Sequence, residues 1–122
     1  MVSRGNTLGK TERLSGKKSI ENLLSNGRWG RSGCLKYCAL PNSHDGSPEP
    51  GRILVSVPKR LFKRAVKRNL LKRRIREAYR VNKLPGFDIL FQYNSAEVED
   101  FATIRAAVEA ALERIPSASD RT

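Results

Sequence analysis

The chain has one histidine, one tryptophan, one methionine and two cysteines in 122 residues, and half as many acidic side chains as basic ones, 12 against 24. Each shortage excludes something. A nuclease that moves protons with imidazole needs a positioned histidine, and the single His44 falls in the turn-rich stretch PNSHDGSPEPG (41–51), where it reads as a surface loop residue. A two-metal nuclease needs carboxylates converging on ions about 3.5–4 Å apart; the acids here gather mainly at 97–100, where they favour the start of a helix instead. Cysteine and histidine together are too few for a zinc site. Cys34 and Cys38 lie in one strand-like run, so four residues at about 3.3 Å each hold them roughly 13 Å apart, beyond disulfide reach, and both are expected as buried, reduced thiols. No apolar run approaches the roughly 18–20 residues that cross a bilayer, and the N-terminal MVSRGNTLGKTERL lacks an apolar signal core. No membrane partner is implied, and a cytoplasmic location is expected.

What is present is positive charge in one place. The net charge is +12 and the pI about 10.4, values typical of proteins that bind nucleic acid or anionic surfaces. Between Lys59 and Arg80 stand eleven cations (Lys59, Arg60, Lys63, Arg64, Lys67, Arg68, Lys72, Arg73, Arg74, Arg76 and Arg80) against Glu77 alone, a local balance of +10 that leaves +2 for the rest. The protein is nearly balanced except for one basic element. Solvated helical faces usually alternate their signs to form i, i+4 pairs, and this one does not.

Pattern and punctuation give the order of elements. SGKKSIENLLSNG places Ile20, Leu23 and Leu24 at helical spacing with Gly27 at the stop, predicting a helix over 16–26. CLKYCAL (34–40) and RILVSVP (52–58) read as strands on either side of the 41–51 loop, and a hairpin between them is the simplest pairing. A further short strand is expected near Trp29, which is read as covering the sheet edge, with contact to RNA as the alternative. The basic helix follows, ended by Leu84-Pro85-Gly86. FDILFQY (87–93) is a third clear strand, with Phe87, Ile89, Phe91 and Tyr93 on one face and Asp88, Leu90 and Gln92 on the other. A last helix over 98–115 carries Phe101, Ile104, Val108, Ala111, Leu112 and Ile115 on one stripe, limited by Pro116. With 122 residues, one domain fits: a lead-in over 1–9, a body over 10–115 and a tail over 116–122. Strands with helices against one face give an α+β two-layer sandwich.

At about 100° per residue, Arg68, Asn69, Lys72, Arg73, Arg76 and Arg80 share an arc of roughly 140°, beside an apolar stripe of Leu71, Ile75, Ala78 and Tyr79. Arginine forks suit phosphate oxygens, and Asn69 can orient an arginine or meet a base or ribose. Six phosphate contacts on single strands would give a logarithmic salt slope of roughly −4.

The run from Pro58 to Arg80, P-K-R-x3-R-A-V-K-R-N-x2-K-R-x2-R-E-A-Y-R, closely resembles the signature helix of the bacterial ribonuclease P protein subunit. In that family a strand ends in Ser-Lys-Lys or similar, a short loop leads to Ala-Val, and Arg-Asn-x-x-Lys-Arg-x-x-Arg follows. The flanks agree: Leu14 in ERLSGKKSIENLLSNG stands in the place of the family's Arg-Leu opening, and the likeness spans about 10–114. Three departures stand out. Leu70 replaces a common third arginine, Lys63-Arg64 replace a common Gly-Asn, and Ile20 and Leu24 replace aromatic residues of the first helix.

The resemblance implies a split β-α-β sandwich with a left-handed crossover, in the order α-β-β-(β)-α-β-α. It implies a subunit of a ribonucleoprotein endonuclease that removes the 5′ leader of precursor tRNA, with catalysis and its Mg2+ in the RNA and no catalytic residue or cofactor in this chain. The expected partners are the catalytic RNA and the leader, with no DNA. The RNA-binding candidates are Lys59, Arg60, Lys63, Arg64, Lys67, Arg68, Asn69, Lys72, Arg73 and Arg76; the leader cleft candidates are Ile20, Leu24 and Tyr37, the last as a stacking surface or, as the alternative, a core residue. A ribosomal or rRNA-binding structural protein is the alternative. A basic leucine-zipper protein is excluded, since apolar heptads would have to continue where Leu84-Pro85-Gly86 stops the helix.

Overall fold

In the computed structural model, residues 17–42 and 51–119 are described, with side chains through Pro116. His44, Leu14, the 1–9 lead-in and most of the 41–51 loop lie outside them. The elements run α1 (Lys17–Asn26), β1 (Arg28–Ser32), β2 (Leu35–Pro41), β3 (Arg52–Ser56), α2 (Ala65–Arg80), β4 (Phe87–Tyr93) and α3 (Phe101–Ser119). The mixed α+β order is the expected one, and β1 is the short strand anticipated near Trp29.

The sheet order is β1-β2-β4-β3. β1 and β2 form an antiparallel hairpin, turned at Gly33, whose φ of 56° is the left-handed region that a side chain disfavours. β2 pairs antiparallel with β4, and β3 pairs parallel with β4. The expected β2–β3 hairpin therefore does not form, because β4 lies between the two strands. The reason is its composition: β4 buries Ile89, Phe91 and Tyr93 on one face and Leu90 on the other, and a strand apolar on both faces belongs in the middle of a sheet. A parallel β3–β4 pair needs a crossover of a dozen or more residues, and the segment holding α2 supplies it with no strand inserted between the two.

One face of the sheet carries the main core. Leu35, Tyr37 and Ala39 of β2, Ile53 and Val55 of β3, and Ile89, Phe91 and Tyr93 of β4 pack against Leu71, Ile75, Ala78 and Tyr79 of α2 and Ile104, Val108, Ala111, Leu112 and Ile115 of α3. This is the two-layer sandwich. The helices do not all share that face, however. The first one, α1, sits on the opposite side, where its Leu23 closes over Cys38 and Leu90 with Ile20, Leu40 and Leu54 around them. β2 and β4 send side chains alternately to the two faces, which lets the inner strands support a small second core.

The ends of the elements are set by side chains. Asn82 Nδ2 donates to the Ala78 carbonyl at 3.2 Å and to Glu109 Oε2 at 3.1 Å, so α2 ends at Arg80, before the Leu84-Pro85-Gly86 stop, and is tied to α3. α3 starts at Phe101, later than expected, since the Tyr93 hydroxyl holds the preceding segment by donating to the Glu97 carbonyl at 2.6 Å and accepting from the Glu99 amide at 2.9 Å. Asp100 then caps the helix, its Oδ1 accepting from the Thr103 amide at 2.8 Å. Pro116 does not limit α3, which runs on to Ser119; one forfeited hydrogen bond near the end of a long helix is not enough to stop it. At the far end of the sheet, the buried carboxylate of Asp88 takes two bonds from Arg52, at 2.9 and 2.7 Å, and one from Asn42 at 2.9 Å. That cluster joins β3 and β4 to the residue that follows β2.

Candidate nucleic-acid interface

The buried stripe of α2, Leu71, Ile75, Ala78 and Tyr79, is the predicted one and leaves the charged arc outward. Asn69, Arg73 and Glu77, four residues apart, form the most exposed line, flanked by the partly exposed Arg68, Lys72, Arg76 and Arg80. The cations are not equivalent. Arg68 donates from Nη1 to the carbonyls of Phe62 and Lys63, both at 2.8 Å, bracing the loop that leads into the helix. Arg74 donates to the Glu99 carbonyl at 2.5 Å, and Arg80 pairs with Glu77, which holds the Glu77 carboxyl below its ordinary value. The side chains of Asn69, Lys72 and Arg73 have no such partner among the described residues.

The loop before α2 is shaped by apolar anchoring. The Pro58 carbonyl accepts from the amides of Leu61 and Phe62, and the buried Phe62 ring meets Tyr93 with centroids 5.9 Å apart. Lys59, Arg60, Lys63 and Arg64 are left exposed. Arg64 stands at the N-cap with no side-chain capping bond, and the first turn holds no acid. Cations at the positive end of a helix oppose its dipole. Unsatisfied amides and several cations together make an anion site, and a phosphate there removes the repulsion.

The opposite face holds the cleft candidates, with one correction. Ile20 packs at the margin of the small core and Leu24 is 41% exposed on α1. Tyr37 is not with them. It points to the α2/α3 side, 8% exposed in the main core, and its ring covers Gly30 so closely that a Cβ there would come within 2.5 Å of it. It is a packing residue. The β2 side chains on the α1 side are Lys36, Cys38 and Leu40, by the period of two.

Sequence reading also missed a polar row on this face. Arg31 is opposite Lys36, Lys36 opposite Gln92, and Ser56 beside Gln92, so four strands present Arg31, Lys36, Gln92 and Ser56 in line. The row beside it is Trp29, Cys38, Leu90 and Leu54, whose middle Leu23 covers. Trp29, for which covering the sheet edge and touching RNA were the two readings, stands on the edge strand and is 47% exposed. The signal was the period of two of a strand over 35–40, which puts Lys36 and Tyr37 on different sides. Cys34 and Cys38 are free and buried, and burial pushes the Cys38 thiol up to about 11.

Among the described residues no three or more His, Cys, Asp or Glu side chains gather as a metal site, and no helix is long and apolar enough to cross a membrane. The fold and the helix define a class: an α+β domain that presents an uncompensated cationic helix on one side of its sheet. Residues 8–116 match the family model described as Ribonuclease P. The chain is 45% identical over 119 residues to the ribonuclease P protein component of Porphyromonas gingivalis, covering 88% of this chain and 85% of the relative. It is 32% identical over 114 residues to that of Chlamydia trachomatis, covering 92% and 89%. The ribonuclease P protein of Thermotoga maritima superposes with a TM-score of 0.72 at 28% identity over 85% of this chain and 97% of that one; the Staphylococcus aureus protein shares the fold with a TM-score of 0.73 at 24% identity, covering 86% and 95%. The chain belongs to the ribonuclease P protein family and is a protein component of that ribonuclease, which implies an RNA partner.

Proposed function

We propose that this chain binds the catalytic RNA of a bacterial ribonuclease P through α2 and the loop before it, and the 5′ leader of precursor tRNA across the opposite face of the sheet. The observation that carries the reading is the outer face of α2, where Asn69, Lys72 and Arg73 have no partner among the described residues and the N-terminal turn is crowded by Lys63, Arg64 and Lys67 without an acid. Such a surface is stabilised by a polyanion. Lys59, Arg60, Arg68 and Arg76 extend it, Arg68 chiefly by fixing the loop.

The sheet face suits a single strand. Its polar row runs from Arg31 to Ser56 across three strand spacings, roughly 14 Å, and the chain leaves Ser56 through Val57 and Pro58 to the exposed Lys59 and Arg60. A strand lying on the row meets cations at both ends, beside Ile20 and Leu24. The protein's part is to neutralise phosphates where catalytic RNA and substrate would repel, and to add contacts to the leader. Bond cleavage, with the magnesium it needs, belongs to the RNA; among the described residues, the carboxylates of Asp88, Glu77, Glu109 and Asp100 are engaged with Arg52, Arg80, Arg105 and the α3 cap.

The test is reconstitution with a bacterial catalytic RNA and precursor tRNA at low magnesium, where the RNA alone is weak. The protein is expected to stimulate 5′ cleavage and to cut nothing unaided. RNA binding without stimulation would make it an rRNA-type structural protein instead.

A further inference from the structure

Trp29 is the chain's one tryptophan, and nothing in the fold requires it to be half exposed. It lies on β1, an edge strand paired with β2 alone. Its cross-strand partner is Cys38, which puts the indole on the α1 side of the sheet, next to the polar row. Lys36 leans over it diagonally, with Nζ 4.9 Å from the ring centroid. Arg31, opposite Lys36, adds a second exposed cation on the same side. A tryptophan serving only as packing buries most of its large surface; this one keeps 47% of it in water beside two cations.

We propose that Trp29 and Lys36 form a nucleobase-stacking platform at the β1 end of the sheet face, taking one unpaired nucleotide of the 5′ leader. The base stacks on the solvent side of the indole, and the adjoining phosphate meets Lys36 and Arg31. An aromatic surface bordered by cations is the pairing that binds single strands without sequence preference. Paired RNA does not fit it, because bases in an A-form helix are already stacked and offer only groove edges, hydroxyls and phosphates. The structured RNA partner is also assigned to α2, on the other side of the sheet. The platform rests on reading this face as the leader track.

Holoenzyme reconstituted with the catalytic RNA is assayed on two precursor tRNAs, one with a long leader and one with a single leader nucleotide. Trp29→Ala is expected to weaken binding of the long-leader substrate on the order of tenfold, as removal of one base–aromatic stack does, and to leave the short one unchanged. Trp29→Phe, which keeps a ring, should recover most of the loss. In the unmutated protein the lone tryptophan reports directly: its fluorescence should be quenched by the long leader and not by the short one. Equal loss on both substrates would mean a folding role and overturn the platform. A long-leader preference that survives Trp29→Ala would overturn the platform while leaving the leader track standing. No preference in the unmutated holoenzyme would remove the track itself, and Trp29 with it.

Discussion

A single residue shows how far a side chain's identity can mislead when its direction is not asked. Tyr37 has the ring that a stacking site needs, yet β2 turns it into the main core, over Gly30 and opposite Phe91. Tyr37→Ala should therefore cost about 3 kcal/mol of stability, as for other large aromatic deletions, and whatever RNA affinity is lost should fall equally for leader-bearing precursor and mature tRNA. Thermal melting together with binding to the two RNAs checks this; a loss confined to the precursor would return Tyr37 to the cleft. A one-position error in a strand exchanges the two faces. Lys36, one position before Tyr37, is therefore the β2 side chain that alternation places on the α1 side, beside Trp29. Arg68 teaches something similar. It sits on the predicted arc, but its bonds to the Phe62 and Lys63 carbonyls depend on a loop path that no local pattern reveals.

At the scale of elements, α2 was readable because its apolar stripe and its charge both follow the helical period, and neither depends on distant parts of the chain. The end of α2 and the start of α3 were less so, being set by the Asn82 and Tyr93 side chains. The division of labour among the cations gives a contrast to measure. Arg73→Ala should weaken binding to the catalytic RNA by about 1–2 kcal/mol and reduce the logarithmic salt slope by about 0.7, one contact's share. Arg74→Ala, which removes the tie to the Glu99 carbonyl, should lower the melting temperature and leave the slope alone. Affinities taken at several salt concentrations separate the two; identical slopes for Arg73→Ala and the unmutated protein would mean that Arg73 only faces water.

For the whole molecule, the sheet order was the part least legible in the sequence. Adjacent strands usually pair, and a β2–β3 hairpin obeyed that rule; what overrides it is the demand of β4 for cover on both faces, a property of the assembled layers. Those layers also set a response to alkali. Burial raises the Cys38 thiol from 9.0 to about 11, and raises Cys34 and the Tyr93 hydroxyl as well. The unfolded chain releases these protons first, so their contribution is full below about pH 9 and is lost as pH climbs through about 11. Denaturant midpoints measured between pH 8 and 11 should fall, and a flat profile would contradict the burial of these groups. The inner position of β4 has a consequence in time as well. When synthesis has reached Arg80 the entire polycationic rod exists, but the strand that both β2 and β3 must pair with has yet to be made. An RNA that meets the nascent polypeptide at that moment meets charge without the apolar floor that fixes its angle, so the grip acquires its geometry only once Phe87–Tyr93 has slid into the gap.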